Sequence, residues 1–580
     1  MFSVSFRRIN TKNIETINVP YPNIISWNIQ QNKYGSLKAT LKITGSISLL
    51  SFFYENDYVL DVQFFWRGIL IWRGRTEAVK LTPTTVEITA LGYIRLFAER
   101  KTFSFYSSTD LTQFFVVDPT IIGGTNTPFK YNVNISDSSL YFSLKKNISY
   151  NNSANPIYLA FKLPQRLIDV PARVQFKVTF NLPNNWVLQL NSINSGFATI
   201  ATEFTTTATG VPTTICYCDN LNPNVYTIMF FIFNNTGGVY NNTLDDDVWF
   251  VRITDFRLIT TSGRNVDTTL TNSVNPGSPA TFPVASTANI YVGQKLTIAS
   301  NTTASEIVTV LSVTGSSFTA NNTTFKPNGS TVRSASMYAD DIIKKLISDA
   351  SNSTPLQSNI VNILPNNLDV FNLITYGDNV LNVIETLTTQ GGNSNSNWNF
   401  YIDNTITAHF KPISALNTRN FILYINDFNI QRLLETLTAY SIVIFKTTYG
   451  AQHRTFSKAN PNLPLFGSGK TNVIKIDSTS QAEAEQVREL DLINNGLIKA
   501  QTSIQIEFML LNSIKADIFD PQPYDTCTIA NLPLSASPVI NSVKTFRISE
   551  VHVDSSGTIK LIPDLPIPGL EFLQTRQSFG

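Results

Sequence analysis

Short runs of β-branched and aromatic residues, each ended by Asn, Pro or Gly, recur along most of this chain and constrain its fold more than any other feature. Between residues 172 and 260 they read ARVQFKVTFNL, NNWVLQLNS, VYTIMFFIFNN and VWFVRITDFRLIT. Strands bury every second side chain and stop where a turn residue bends the backbone, so runs of this length with no helical period between them predict an all-β sandwich. The first hundred residues carry the same signal. In VQFFWRGILIWRGRTEAV, Val62, Phe64 and Trp66 share one face while Asp61, Gln63 and Arg67 share the other. Arg67-Gly68 reads as the turn of a β-hairpin into Ile69 to Trp72.

Two segments switch to a helical period. In MYADDIIKKLISDA the residues Ala339, Ile342, Ile343, Leu346, Ile347 and Ala350 form one apolar helix face. NVLNVIETLTTQGG is a second such helix, stopped at Gly391-Gly392. It runs into WNFYIDNTITAHFKP, a hairpin turning at Asp403-Asn404. Further on, SQAEAEQVRELDLINNG opens with Ser480 and Glu483 at capping-box spacing and predicts a third helix. The expected class is mainly β with a minor α/β part.

At 580 residues the chain exceeds what one core organises. The pattern divides it into 1–115, a first strand-rich domain; 116–265, a β-sandwich; 266–281, a Ser/Thr/Asn/Pro/Gly-rich linker; 282–336, a small β-module; 337–415, an α/β module; 416–565, a second strand-rich domain; and 566–580, a tail. Charge excludes more than it suggests. Formal net charge is +2, too little for a global field that would favour nucleic acid or membrane. Only 14% of residues are charged, and Asn, Thr and Ser take their place, as suits a subunit whose surface is covered by neighbours. No window holds the ~20 apolar residues of a membrane span, and MFSVSFRRIN lacks a secretory signal's apolar stretch, so ordinary export is not expected.

Candidate chemistry is sparse. His409, His453 and His552 have no motif partners, and no phosphate loop, nucleophile elbow or HExxH motif occurs. LFGSGKT at 465–471 ends like a phosphate loop without its spacing and reads as a surface loop. Cys216 and Cys218 read as small core residues, because two ligands are too few for zinc and Cys527 is remote. No enzyme activity and no cofactor are expected. Two binding readings stay open. Asp245, Asp246 and Asp247 bring carboxylates to one loop, where they would hold a calcium ion or simply be solvated. Trp186, Tyr240 and Trp249 would stack on a sugar ring or fill the sandwich core. Arg67, Arg73 and Arg75, set among aromatics, fit a single-strand nucleic-acid groove, strand-end salt bridges or subunit contacts.

The order of these segments resembles the baseplate or tail-tip hub proteins of tailed bacteriophages. The resemblance rests on RGR at 73–75, ALGYIRLFAERK at 90–101, the YADDIIKKLI helix, NVLNVIETLTTQGG followed by WNFYIDNTITAHFKP, and the helix at 480–495 ahead of FDPQPYDTCTIANL and FRISEVHVDSSGTIKLIP. Where that family has a Pro-Gly-Asp turn, Tyr524 stands in place of the glycine. The region 282–336 looks like a β-module recurrent in tail proteins, and 120–265 resembles jelly-roll, carbohydrate-binding-like domains of tail tips. The resemblance implies a structural virion protein at the tail tip. It implies a homotrimer whose two tube-type β-barrels per chain form a pseudo-sixfold ring, adapting a sixfold tail to a threefold tip around a DNA bore. Its implied partners are the distal tail protein or tail-tube ring, the tape-measure C-terminus, spike or fibre proteins, a host surface glycan and, transiently, ejected DNA. In that setting Arg67, Arg73 and Arg75 become subunit-interface or channel-wall residues. Two other functions fit the same residues: a receptor-binding tail protein recognising glycans through the sandwich, and a secreted polysaccharide-active enzyme.

Overall fold

The computed structural model describes residues 2–9, 14–55, 60–108, 116–117, 139–144, 146, 149–150, 157–162, 173–193, 199–221, 227–236, 240–245, 248–260, 266–334, 336–351, 362–366, 368–370, 373–390, 398–416, 418–423, 427–433, 438–446, 453–460, 470–476, 484–485, 487–489, 491–492, 499–507, 517–530 and 545–563. The fold is mainly β with a minor α part. The tail 566–580, Asp246, Asp247, Ser480 and Gly391-Gly392 lie outside the described residues.

The N-terminal lobe consists of β1 (Phe2–Ile9), β2 (Ile14–Pro20), β3 (Ile24–Asn32), β4 (Gly35–Thr44), β5 (Leu60–Trp66), β6 (Ile69–Leu81) and β7 (Thr85–Gly92). Alternating burial in β7 and in β4 matches the alternation of apolar side chains in TVEITALG and GSLKATLKIT. The hairpin turn falls where the sequence predicts it: Arg67 and Gly68 have φ of 51° and 80°, the left-handed pair that matches strand twist. A helix the sequence reading missed, α1 (Ile47–Glu55), packs Leu49, Phe52 and Phe53 on this lobe. A short α2 (Arg95–Glu99) follows β7.

Strands of the chain's last third extend the same sheet. These are β13 (Asp427–Leu433), β14 (Lys499–Glu507), β15 (Thr526–Ile529), β16 (Thr545–Asp554) and β17 (Thr558–Pro563). Hydrogen bonding runs in the order β2-β1-β5-β6-β7-β4-β3-β16-β17-β14-β13. One apolar cluster takes Phe2, Trp27, Phe64 and Trp72 from the first lobe and Phe546, Ile548, Val551, Val553, Ile559 and Leu561 from the second. The two barrel domains expected as separate units therefore share a sheet and a core.

Between them lie the inserted parts. The sandwich stacks a sheet containing β8 (Arg173–Asn181), β9 (Thr213–Asn220) and β10 (Phe250–Ile259) against one containing Trp186–Ile193, Thr199–Thr207 and Thr227–Asn234. Phe176 and Val178 of the first sheet meet Leu188, Leu190 and Phe230 of the second in a common core. The stretch 266–281, expected as a linker, is instead part of the small module: Asp267–Thr269 and Gly277–Pro283 are strands of its sheet. Val266, Leu270 and Val274 are buried there, because its polar runs alternate with single apolar residues that reach the core. The helices α3 (Ala339–Ser351) and α4 (Val380–Gln390) and the hairpin β11 (Trp398–Ile402) to β12 (Ala408–Pro412) form the α/β module, with a core that also takes Tyr93, Leu96, Phe97 and Tyr106. The first lobe thus ends near Gly92, and the side chains of α2 belong to a core completed much later in the chain by α3 and α4.

Candidate functional site

The opening hairpin holds a buried charge network. Asp61 has a fully buried side chain and accepts two bonds from Arg73, from Nε (2.9 Å) and Nη2 (2.9 Å). Tyr93 donates its hydroxyl to the same carboxylate at 2.8 Å, and Gln63 its amide at 2.7 Å. Burial, followed by the nearby Asp61 charge, raises the Tyr93 phenol far above its ordinary value. Arg73 therefore has its guanidinium on Asp61 inside its own lobe. Arg75 pairs with Glu99 of α2. Arg67, at the turn, has an exposed side chain that lies over Trp66 and reaches Asp517 at 3.0 Å.

The sandwich aromatics separate. Trp186, for which sugar stacking and core packing both stood open, is 1% exposed and edge-on to Tyr240 in the core, so its faces are covered by protein. Its position in NNWVLQLNS starts a strand buried on both faces, which leaves no platform. Tyr240 and Trp249 are half-buried against the same core and keep some surface. Asp245 is exposed and pairs with Lys146 at 2.7 Å, a contact that lowers its pKa. Among the described residues no three metal-binding side chains gather.

The small module covers an edge of the sandwich. Strand β9 is terminal in its sheet, and residues of the module meet its backbone: Cys216 N–H donates to Ser305 Oγ (2.7 Å), Cys218 N–H to Ser300 Oγ (2.8 Å), and Asn301 N–H to the Cys216 carbonyl (3.1 Å). Edge amides are thereby satisfied by hydroxyls rather than by another strand. Arg173, fully buried, donates to the Ser334 carbonyl, and Arg333 bridges Asp219 and Asp267. Cys216 and Cys218 are buried in this contact, and burial raises both thiol pKa values. On the other side Arg257 of β10 pairs with Asp369 at 2.7 Å and bonds Ser107 Oγ at 2.8 Å. The sandwich is thus fixed to the α/β module by a buried ion pair.

The feature that sequence reading missed is the joint between the lobes. Strand β3 pairs antiparallel with β16, placing Asn28 opposite Asp554, Ile29 opposite Val553, Gln30 opposite His552, Gln31 opposite Val551 and Asn32 opposite Glu550. What the sequence does carry is a likeness between the lobes: Trp27-Asn28-Ile29-Gln30 in β3 returns as Phe428-Asn429-Ile430-Gln431 in β13. Tyr524 has a φ of 76°, a left-handed conformation that a glycine would adopt without strain. Its neighbour Asp525 accepts bonds from the Arg419 and Gln522 amides, although burial outweighs them and raises its pKa.

No family model matches the chain, and no curated protein does. Solved structures do resemble it. A 43 kDa tail protein of prophage MuSo2 from Shewanella oneidensis is 7% identical, with 97% of this chain and 95% of that one covered and a TM-score of 0.33. The tail protein from Neisseria meningitidis MC58 is 10% identical over 53% of this chain and 94% of that one, at a TM-score of 0.28. A CBM4 structure covers 25% of this chain and 86% of its own at 9% identity and a TM-score of 0.17. At such values the chain's own geometry has to carry any functional reading.

Proposed function

We propose that the chain is a non-catalytic structural protein of a phage tail tip, a trimeric hub that adapts a sixfold tail to a threefold tip around a channel for DNA. The observation that carries this reading is the joint of β3 with β16. Two β-lobes of one chain lie edge to edge in a single sheet, so each copy contributes an arc of two units, and three arcs supply the six positions of a pseudo-sixfold ring. Its neighbours would be a distal tail protein or tail-tube ring, a tape-measure C-terminus and spike or fibre proteins. Arg67, at an exposed hairpin tip, is the arginine best placed to meet a neighbour or the channel. Electron microscopy of the purified protein or of virions tests the reading: a threefold ring with an open bore is expected, and a stable monomer at micromolar concentration overturns it.

The partly exposed pair Tyr240 and Trp249 favours a second role, glycan recognition by the sandwich during host attachment. Trp249→Ala would then reduce adsorption to host cells while tails still assemble; unchanged adsorption removes this role.

A further inference from the structure

The repeated Asn-Ile-Gln lies in two lobes that match row by row across the sheet. In the first lobe Val79 of β6 lies opposite Ile88 of β7, Ile88 opposite Leu41 of β4, and Leu41 opposite Trp27 of β3. In the second, Val551 of β16 lies opposite Leu561 of β17, Leu561 opposite Ile504 of β14, and Ile504 opposite Phe428 of β13. The irregularities match as well. The register of β6 on β7 shifts between Thr76 and Ala78, and that of β16 on β17 shifts between Ile548 and Glu550, three positions ahead of the row in the same sense. Strand β6 is thus the counterpart of β16, and β13 the counterpart of β3.

The counterparts differ in one respect. The joint with β3 covers the second half of β16, and Val551 and Val553 there are each 2% exposed. The second half of β6 pairs with β7 on one side, and among the described residues no strand lies on the other. Val79, the counterpart of Val551, is 38% exposed, and Glu77, Ala78 and Lys80 beside it are exposed too. At the far end of the sheet β13 pairs only with β14 among the described strands. An open strand edge flanked by an exposed valine is a template on which another strand can pair.

We infer that β13 of one copy pairs with the second half of β6 of the next copy, repeating between chains the joint that β3 and β16 make within one. The register comes from the rows: Asn429 opposite Thr82, Ile430 opposite Leu81, Gln431 opposite Lys80, Arg432 opposite Val79 and Leu433 opposite Ala78. Because the two edges are different surfaces, the contact is head-to-tail and propagates from copy to copy until it closes. The number of copies in the closed ring rests on the hub reading; the joint does not.

Oxidative cross-linking of the full-length chain tests it, since directly paired residues in antiparallel strands come within disulfide reach. Native Cys216, Cys218 and Cys527 are buried, which keeps background low. Lys80→Cys combined with Gln431→Cys should link most of the protein into covalent multimers, with neither single variant doing so. Gln30→Cys with His552→Cys, the pair within one chain, is the positive control for the same geometry. In the unmodified protein, amide exchange over Glu77–Leu81 should slow at least tenfold on assembly. A control that links while Lys80→Cys/Gln431→Cys does not, or amides that exchange equally in monomer and assembly, overturns the joint. A threefold ring without the link sinks the joint and leaves the hub function standing. Linked multimers without a threefold ring do the reverse.

Discussion

Gln30 lies opposite His552, in a joint that ties strands more than five hundred residues apart into one antiparallel sheet. Because the apolar rows beneath this pair come from both lobes, their stabilities are coupled. Leu561→Ala, at a fully buried position, should cost about 2–5 kcal/mol. Unfolding in urea followed by tryptophan fluorescence, which reports Trp27 and Trp72 of the first lobe among others, should shift together with circular dichroism; separate transitions would show that the lobes fold independently.

Arg73 and Arg75 should behave differently although they stand two residues apart. Arg73→Ala leaves the carboxylate of Asp61 buried and unpaired in an apolar lobe, a loss of about 3–5 kcal/mol. Arg75→Ala removes a surface pair with Glu99 and should cost about 1 kcal/mol or less. Equal midpoints of chemical denaturation for the two variants would contradict the network.

Acid should loosen the β11–β12 hairpin. Burial works to raise the pKa of Asp403, but bonds from His409, Thr405 and the Thr407 amide outweigh it and hold it at about 2. A carboxyl depressed on folding stabilises the folded state above its ordinary pKa near 4, and that contribution is lost as pH falls from about 4 towards 2. The side chain is 32% exposed, so the loss is on the order of 1 kcal/mol. Asp403→Asn should flatten stability over that window; an unchanged acid profile would show that the turn is held by other groups.

Asp369→Ala should release the sandwich from the α/β module without unfolding either. It removes the carboxylate that balances the buried charge of Arg257, whose side chain is 4% exposed, which typically costs about 3–5 kcal/mol. Limited proteolysis should then separate the sandwich several times faster than in the native protein, and identical digestion patterns would argue against this anchor.

Much of this molecule is set by local sequence. Alternation in TVEITALG, the Arg67-Gly68 turn and the apolar face of ADDIIKKLISDAS each name their own element, because strand, turn and helix preferences are set by neighbours along the chain. The class, mainly β with a minor α part, is legible for the same reason. Where local signals mislead, long-range packing decides. Residues 266–281 are polar enough to read as a linker, yet Val266, Leu270 and Val274 are held by a core made further on. Trp186 fits a sugar platform or a core equally well until the opposing sheet buries it.

The pairing of lobes lay further from reach. The sequence by itself determined many of the strands and turns, and even the repeat of Asn28-Ile29-Gln30 at Asn429-Ile430-Gln431. Only the tertiary structure decided that β3 meets β16, that Arg73 belongs to Asp61, and that among the described strands the second half of β6 pairs with β7 alone. A strand's sequence fixes which side chains face inward, but its edge hydrogen bonds are made by backbone groups that every residue carries, so the choice of neighbour is made by the packing of the whole sheet.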